Sequence, residues 1–493
     1  MPRALETREK PPRELPRTHL CPRKMCPRHA QEQVPPQKPL TVAEQERLLR
    51  VGLPTELWKE VICHAASIEH EFETCGFDGK NYTFEHSALY KAEWYRTFQT
   101  RLSLVLVCKF WNNLASQYLY RSILISHAHS AREFVRLVLQ LANNGMAKYV
   151  QRVSVYPFNG SDAPQPFHPN AMARFPNLRV VEIRNYDMFI PEVNQTHITT
   201  LSAPLNKWSV FEALAFLPHL QHLQFTVSHH YPIGSRVKLS QLKTLHVESY
   251  PAGSLFYESL DLPTLDTLIF SYFHEYSQLP LVQHFLPHIR VLGFDLFTAQ
   301  LPPNNPFAPH LKSFICRQPF RANWKGLYRV VPLELIEEVH LSLEAAVLAS
   351  LLGRRYSYHS SFDDHISSMI ARMEDESVMR TLSYVYTDLT PNTLRVMEPG
   401  IKDKLRKWLT TMKKRKVMVM TYIKTSKYTG HRYCSLEEAW DAEPHWEFWA
   451  PTGSTNDIRR WELLAKVTGR SNMTWEVTKD GSQCQWFGEL SGV

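Results

Sequence analysis

The chain has 493 residues, of which 44% are hydrophobic and 12% aromatic, a composition that excludes a largely disordered or fibrous protein. Its length exceeds that of most single-core domains, so we expect two or more structural units. The net charge of +8 is mild, and no segment apart from the short run Lys413 to Lys416 gathers the basic residues expected of a nucleic-acid binder.

The eight cysteines are scattered along the chain and do not form the dense framework of a disulfide-stapled protein, which favours a reducing compartment. No run of about 18 apolar residues is present, and the N-terminal sequence lacks the apolar segment of a signal peptide. We therefore expect a cytoplasmic and/or nuclear protein with no membrane partner.

Residues 1–48 are rich in Pro, Arg, Lys and Gln and poor in large apolar residues. Such a segment buries too little surface to offset its ordering entropy. The sequence predicts a disordered, basic, Pro-rich tail.

Two amphipathic helices are predicted in residues 49–127. Apolar residues recur at steps of three and four from Leu53 to Ile62, and Pro54 suits a first helical turn. A second helix is predicted from Thr100 to about Tyr120, and its apolar residues occupy two faces rather than one, so it needs two partners. The segment between them, at about 67–98, lacks a strong period and is interpreted as an insertion.

A repeated phrase of the form Pro-x-Leu-x-x-Leu-x-apolar is the clearest pattern in residues 128–427. From Leu220 onward its first apolar position recurs every 22 to 25 residues, within the period of leucine-rich repeats. Each copy predicts a short strand with alternate side chains in a shared core. The copies begin at Leu178, Leu220, Leu242, Leu265, Ile289, Leu311 and Ile336, with a degenerate copy at Ile198 and an early one at Val150.

The last part of the chain departs from this period. A further strand is predicted from Met379, Leu382, Tyr384 and Tyr386, a helix over Ile401 to Met412 and a strand over Val417 to Ile423. Residues 428–493 are rich in Trp but aperiodic, and they are treated as an extension of unknown fold. The predicted fold class is thus α+β multi-domain, with a small all-α helical module followed by an α/β leucine-rich-repeat-like solenoid that has an inner parallel sheet.

Two segments of the helical module resemble the F-box motif, in the version common in fungal F-box proteins. They are Leu53-Pro54-Thr55-Glu56-Leu57-Trp58 and the stretch from Leu104 to Ala115, which reads LVLVCKFWNNLA. The resemblance covers about seventy residues and departs from the family in the long segment that joins the two halves. It implies an adaptor that docks on the Skp subunit of an SCF-type (Skp-cullin-F-box) ubiquitin ligase and binds a protein target through its repeats.

The resemblance also implies which residues dock. Carried over by position, the Skp-binding residues are Leu53, Pro54, Leu57, Trp58, Val61, Leu104, Val107, Cys108 and Trp111. Outward positions of the repeat strands are the candidates for target binding, namely Arg184, Tyr186, His246, Tyr272 and Asp295. We expect no catalytic residues, no metal site and no cofactor, because the sequence has no phosphate-binding Gly-rich loop, no Gly-x-Ser-x-Gly and no His-Glu-x-x-His.

Two other readings remain open at this point. The chain could be a leucine-rich-repeat interaction scaffold outside any ubiquitin ligase, with its helical start acting only as an N-terminal cap. It could also be an enzyme whose site lies in the Trp-rich part after residue 428, although no residue pattern there names a reaction.

Overall fold

The structure is a computed structural model, and the chain divides by its internal contacts into two units, Met1–Leu53 and Pro54–Val493. The residues that it describes are 54–67, 86–125, 131–155, 174–183, 197–205, 212–227, 236–249, 256–273, 279–297, 308–316, 331–343, parts of 367–397, 399–426, 430–441, 474–477 and 484–487. The tail predicted at residues 1–48 lies outside them. All the described residues belong to the second unit.

Three helices precede the sheet: α1 (Thr55–Ala66), α2 (His86–Val107) and α3 (Lys109–Leu119). The helix predicted over Thr100 to Tyr120 is in fact two helices, because Cys108 is fully extended with φ −164° and ψ 170°. The Asn112 side chain donates to the Val105 carbonyl oxygen across this break, at 3.1 Å. Helix α2 also begins well before Thr100, so the second half of the predicted insertion at 67–98 is helical.

Strands of two to nine residues then recur through the chain. Their bounds are β1 Ser122–Ile125, β2 Arg152–Val155, β3 Val180–Ile183, β4 Thr200–Pro204, β5 His222–Thr226, β6 Val237–Lys238, β7 Thr244–Ser249, β8 Leu260–Asp261, β9 Thr267–Phe273, β10 Val291–Phe297, β11 Ser313–Cys316, β12 Glu338–Leu341, β13 Tyr384–Thr387, β14 Met418–Ser426 and β15 Gly430–Ser435. The two-residue strands β6 and β8 pair with each other in a small separate sheet.

The other strands form one continuous sheet in the order β1-β2-β3-β4-β5-β7-β9-β10-β11-β12-β13-β14-β15. Neighbours are parallel from β1 to β14, and the pair β14–β15 is antiparallel. Strands that pair in chain order over such a length, with returns between them, make a solenoid. This confirms the predicted leucine-rich-repeat-like body and its inner parallel sheet.

The repeat phrase builds the core because its apolar residues fall in register. One buried row crosses the sheet through Ile123, Val153, Val181, Leu201, Leu223, Leu245, Leu268, Leu292, Phe314, Val339, Val385 and Val419. The third apolar residue of each phrase adds a second row, in which the rings of Phe270 and Phe294 stack with centroids 5.7 Å apart. No single repeat could bury these residues alone, so the core is shared from strand to strand.

Two of the predicted boundaries differ from the observed ones. The sheet begins at Ser122, within the region predicted to be helical up to residue 127, and β15 extends it past residue 427. In β13 the strand is where the sequence predicts it, but the core position is Val385, whereas Tyr384 is exposed. The phrase in that repeat is therefore Leu382-x-x-Val385.

Short helical segments return the chain between strands. Helix α4 (Ala131–Asn143) follows β1, and α5 (Leu279–Phe285) lies between β9 and β10. One-turn 3-10 helices occupy Ala147–Tyr149, Leu214–Phe216, Phe256–Ser259 and Leu333–Leu335. Gly145 ends α4 with φ +68°, a left-handed conformation that glycine adopts without steric cost.

The end of the solenoid contains the longer helix α6 (Pro399–Lys414), which confirms the helix predicted over Ile401 to Met412. Its buried face carries Ile401, Leu405, Trp408, Leu409 and Met412. In the predicted C-terminal extension, helix α7 (Leu436–Asp441) follows β15, and β16 (Thr474–Val477) pairs with β17 (Cys484–Phe487) as an antiparallel hairpin.

Candidate interaction surfaces

The helical module has a small core of its own. Ile62 of α1, Val105 of α2 and Ala115 of α3 are buried against one another. The indole rings of Trp58 and Trp111 contact each other with centroids 5.2 Å apart, which joins α1 to α3. These contacts account for one apolar face of each helix.

The same module leaves other apolar side chains in solvent. Leu57 is 47% exposed, Val61 46%, Leu106 72% and Val107 52%. Leu57 and Val61 are four residues apart on α1 and so share a face, while Leu106 and Val107 form the last turn of α2. Large apolar side chains grouped on a small element typically mark a surface for another protein.

The predicted docking residues divide into two groups in the structure. Pro54, Leu57, Val61 and Val107 are exposed, whereas Trp58, Leu104, Cys108 and Trp111 are half-buried. Trp111 and Leu104 pack beside the core of the module, and Leu53 lies outside the described residues. Leu106, the most exposed large apolar residue of the described part of the chain, is absent from the predicted set, because that set is carried over by position from the F-box motif.

A buried polar side chain ties the module to the sheet. The Arg101 Nε donates to the Ala66 carbonyl oxygen at 2.7 Å, and its Nη1 lies 3.5 Å from the Ser122 hydroxyl. The Trp94 indole N–H also donates to the Ser122 carbonyl oxygen, at 3.2 Å. The start of β1 is thereby bonded to α2, and the same Arg101 side chain links α2 to the end of α1.

The sheet has a second face, opposite the apolar core, formed by the alternate residues of each strand. One row of this second face runs through Leu124, Ser154, Glu182, Ser202, Gln224, His246, Ile269, Gly293, Ile315, His340, Tyr386 and Met420. Its chemistry changes along the solenoid. It is polar from β2 to β7, apolar from β9 to β11 and aromatic on β12 and β13.

The polar part begins with a buried ion pair. The Arg152 Nη2 lies 2.7 Å from the Glu182 Oε2, and the same carboxylate oxygen accepts from the Ser154 hydroxyl at 2.8 Å. Farther along, the carboxylate of Glu248 accepts from the side chains of Gln224 and Thr226. These networks join neighbouring strands through their side chains as well as their backbones.

The middle of the second face is apolar and closely packed. Ile269, Val291 and Ile315 form a buried cluster separate from the main core. Gly293 lies between the two isoleucines, and a Cβ atom built there would be 3.1 Å from the Ile269 Cγ1 and 3.3 Å from the Ile315 Cβ. Glycine at this position lets the isoleucines of β9 and β11 approach over β10.

Aromatic rings follow on β12 and β13. The His340 imidazole stacks on the Tyr386 ring with centroids 4.6 Å apart, and Tyr384 stacks on Tyr386 at 6.1 Å. Burial lowers the pKa of His340, although the Glu338 carboxylate, 3.9 Å from its Nε2, acts in the opposite direction. Burial likewise raises the pKa of Tyr386. The three rings therefore form one stacked group, in which His340 is buried and Tyr384 is exposed.

The predicted target-binding residues are only partly placed. His246 lies on the second face, where it is buried and its Nε2 is 2.9 Å from the Ser271 hydroxyl. Tyr272 and Asp295 belong to β9 and β10, but their side chains lie outside what the structure describes. Arg184 and Tyr186 lie outside the described residues. Target binding by these residues stays a prediction.

Among the described residues, no three His, Cys, Asp or Glu side chains come together in a way that could hold a metal ion. Within the same residues, no helix combines the length and apolar character needed to cross a membrane.

Comparison with known proteins adds little to the fold itself. No family model matches the chain, and no curated protein matches it. Among solved structures, a protein from Bacteroides fragilis is similar over 57% of this chain and 71% of its own, with 16% identity and a TM-score of 0.28. A complex of TLR13 with ssRNA13 is similar over 50% of this chain and 40% of its own, with 12% identity and a TM-score of 0.23. The strand pairing alone therefore defines the chain as a repeat solenoid, a fold consistent with a protein-interaction scaffold.

Proposed function

We propose that this chain is the non-catalytic substrate-recognition adaptor of an SCF-type ubiquitin ligase. In this proposal the helical module docks on the Skp-type subunit, and the solenoid binds a protein target. The resemblance of residues 53–58 and 104–115 to the F-box motif suggests the partner. The observation that carries the proposal is the set of exposed apolar side chains on that module, Leu57, Val61, Leu106 and Val107.

The energetics of these side chains favour a protein partner. Complete burial of a Leu or Val side chain is worth about 1.5–3 kcal/mol, and these residues retain about half or more of their surface in solvent. Covering them would therefore contribute on the order of 1 kcal/mol each. A module that buries one set of apolar residues in its own core and leaves a second set exposed fits a docking element.

The mechanism requires no bond chemistry from this chain. Holding a target beside a ubiquitin-conjugating enzyme raises the effective concentration of the target lysine and makes the encounter local. The solenoid supports this role because stacked repeats build one extended surface from equivalent positions of successive strands. Its side-chain networks between strands fix that surface before a target arrives.

The test is a binding measurement between the purified full chain and a purified Skp-type subunit. The variant Leu57→Asp with Leu106→Asp places two charges on exposed positions, where they disturb the fold little. We expect it to weaken binding at least tenfold. The matched control is Phe216→Asp, since Phe216 is a large apolar residue of the solenoid that is 60% exposed.

Two results would contradict the proposal. One is the absence of binding by the wild-type chain under conditions where it is folded and monodisperse. The other is equal binding by the double variant and the Phe216→Asp control. If the wild-type chain ignores the Skp-type subunit but still captures a target, it is an interaction scaffold outside the ligase.

A further inference from the structure

The strands of the second face carry more carboxylates than cations, among the side chains that the structure describes. The carboxylates are Glu182 of β3, Glu248 of β7 and Glu338 of β12, and the cation is Arg152 of β2. Arg152 and Glu182 are buried 2.7 Å apart, so their charges offset each other. The described part of this face therefore has an excess of negative charge at β7 and β12, although the whole chain has a net charge of +8.

The carboxylate at β7 is accessible from solvent. Glu248 is half-buried, and its carboxylate accepts hydrogen bonds from the side chains of Gln224 and Thr226. Both donors are neutral, so these bonds orient the carboxylate and leave its charge in place. A half-buried carboxylate attracts a cation more strongly than one in bulk water, because the protein around it has a lower dielectric constant.

The carboxylate at β12 lies beside exposed aromatic and apolar surface. The Glu338 side chain is 27% exposed and accepts from the Ser313 hydroxyl at 2.9 Å. Tyr384 is its register partner on β13, and Met418 is the partner of Tyr384 on β14. These last two side chains are 37% and 50% exposed. The face of a tyrosine ring attracts cations, so the ring and the carboxylate favour the same kind of ligand group.

Two histidines of the second face do not offset this negative charge. Burial, and then the Lys243 ammonium, lower the pKa of His222 to about 4. Burial also lowers the pKa of His340, next to Glu338. Both imidazoles are therefore neutral near pH 7.

The two carboxylates are separated by strands whose described side chains on this face carry no charge. Ile269 and Ile315 occupy the middle and are buried. Glu338 is in register with Thr244, four residues before Glu248 and four strands away in the sheet. With about 4.8 Å between strands and about 3.3 Å per residue along them, the two positions are roughly 23 Å apart. An extended chain needs about seven residues to span that distance.

We propose that the second face binds an extended, arginine-containing basic segment of the target protein, with one arginine at Glu248 and another at Glu338 and Tyr384. This inference rests on that part of the proposed function in which the solenoid binds a protein target. Arginine suits the second position better than lysine, because its planar guanidinium can pair with a carboxylate and stack on an aromatic ring. The segment crosses the strands, and its two arginines are about seven positions apart.

The experiment measures binding of fluorescein-labelled peptides to the full chain by fluorescence polarisation, at low ionic strength where screening is weak. The probe has two Arg-Arg pairs separated by the spacer Gly-Ser-Gly-Ser-Gly. One comparison peptide has citrulline in place of every arginine, and a second has the four arginines together and the same spacer after them. We expect the spaced arginine peptide to bind at least about threefold tighter than the contiguous one, and the citrulline peptide to bind more weakly than both.

The variant is Glu248→Gln with Glu338→Gln, which removes both charges and keeps a hydrogen-bond acceptor at each position. The matched control is Glu258→Gln with Glu334→Gln. Both of these glutamates are exposed and lie in 3-10 helices outside the sheet, so the control changes the net charge equally. We expect the variant to bind the spaced peptide at least about fivefold more weakly and the control to bind it as the wild type does.

Tighter binding of the spaced peptide that the variant loses and the control keeps supports the proposal. It is overturned if the spaced and contiguous peptides bind equally, if variant and control are weakened equally, or if the wild-type chain binds none of the peptides.

The same proteins are tested for binding to the Skp-type subunit, which depends on the helical module and should not change. A chain that binds that subunit but no arginine peptide refutes the present inference alone. A chain that binds the spaced peptide but not the subunit refutes the role in the ligase alone.

Discussion

The stacked phenylalanines of the core give a stability prediction that can be worked from the structure. Phe294 is completely buried, its ring stacks on Phe270, and it meets Phe314 at a centroid distance of 6.0 Å. Burying a phenylalanine removes about 150 Å² from water, which at about 25 cal/mol per Å² is worth about 4 kcal/mol. We therefore expect Phe294→Ala to lower the free energy of unfolding by about 3–5 kcal/mol.

The assay is urea unfolding followed by circular dichroism, with the shift in midpoint converted to free energy at an unchanged slope. Phe294→Leu keeps most of the apolar volume and should cost less than about 1.5 kcal/mol. Phe216→Ala, at an exposed position, should stay within about 0.5 kcal/mol of the wild type. A loss below about 1 kcal/mol for Phe294→Ala would refute the idea that the strands share one tightly packed core.

Three further predictions concern single side chains. Burial, and then the Lys243 ammonium, lower the pKa of His222 to about 4, so below pH 6.5 the unfolded chain binds a proton that the folded chain does not. Between pH 7.5 and 5 the free energy of unfolding of the wild type should therefore fall by about 2 kcal/mol more than that of His222→Gln. Parallel pH profiles of the two urea midpoints would disprove this. The buried Thr421 hydroxyl donates to the Leu389 carbonyl oxygen at 2.7 Å; Thr421→Val should cost about 1–2 kcal/mol in urea unfolding, and an unchanged midpoint would contradict it. Lys416 has φ 61°; Lys416→Gly should stabilise the protein by about 0.5–1 kcal/mol, and a lower melting temperature would argue against it.

The repeat body was predictable because its signal is periodic and its physics is local. Each phrase such as Leu220, Leu223 and Phe225 places apolar residues at the positions that a buried strand requires, and many copies reinforce one another. The same reasoning misassigned the phase in β13, where tyrosines flank Val385. Tyrosine suits either face of a strand, so the pattern alone does not say which residue is buried.

Features without a period were harder to predict. No Pro or Gly near Cys108 signals the break between α2 and α3. The hydrogen bond from the Asn112 side chain to the Val105 carbonyl oxygen, which stabilises the break, is seen only in the structure. Strand β1 has four residues and no preceding repeat phrase, so nothing distinguishes it from the end of a helical module.

The candidate surfaces show a similar division. The apolar excess of the helical module was visible in the sequence, but only the structure shows that Leu106 is its most exposed member. The residues that line a cleft at the starts of β2, β3 and β4, such as Arg179 and His219, occupy the unspecified positions of the repeat phrase. A pattern defined by its buried residues carries no information about the positions between them.

The antiparallel strand β15 has a consequence for how the protein behaves in concentrated solution. A row of parallel strands ends in an unpaired backbone edge, which can recruit the edge of another molecule and start polymerisation. Here β15 turns back along β14 and occupies those hydrogen-bonding groups. The edge strand that another molecule would meet at that side is therefore the antiparallel β15, so a second copy stacked there would not continue the run of parallel pairs.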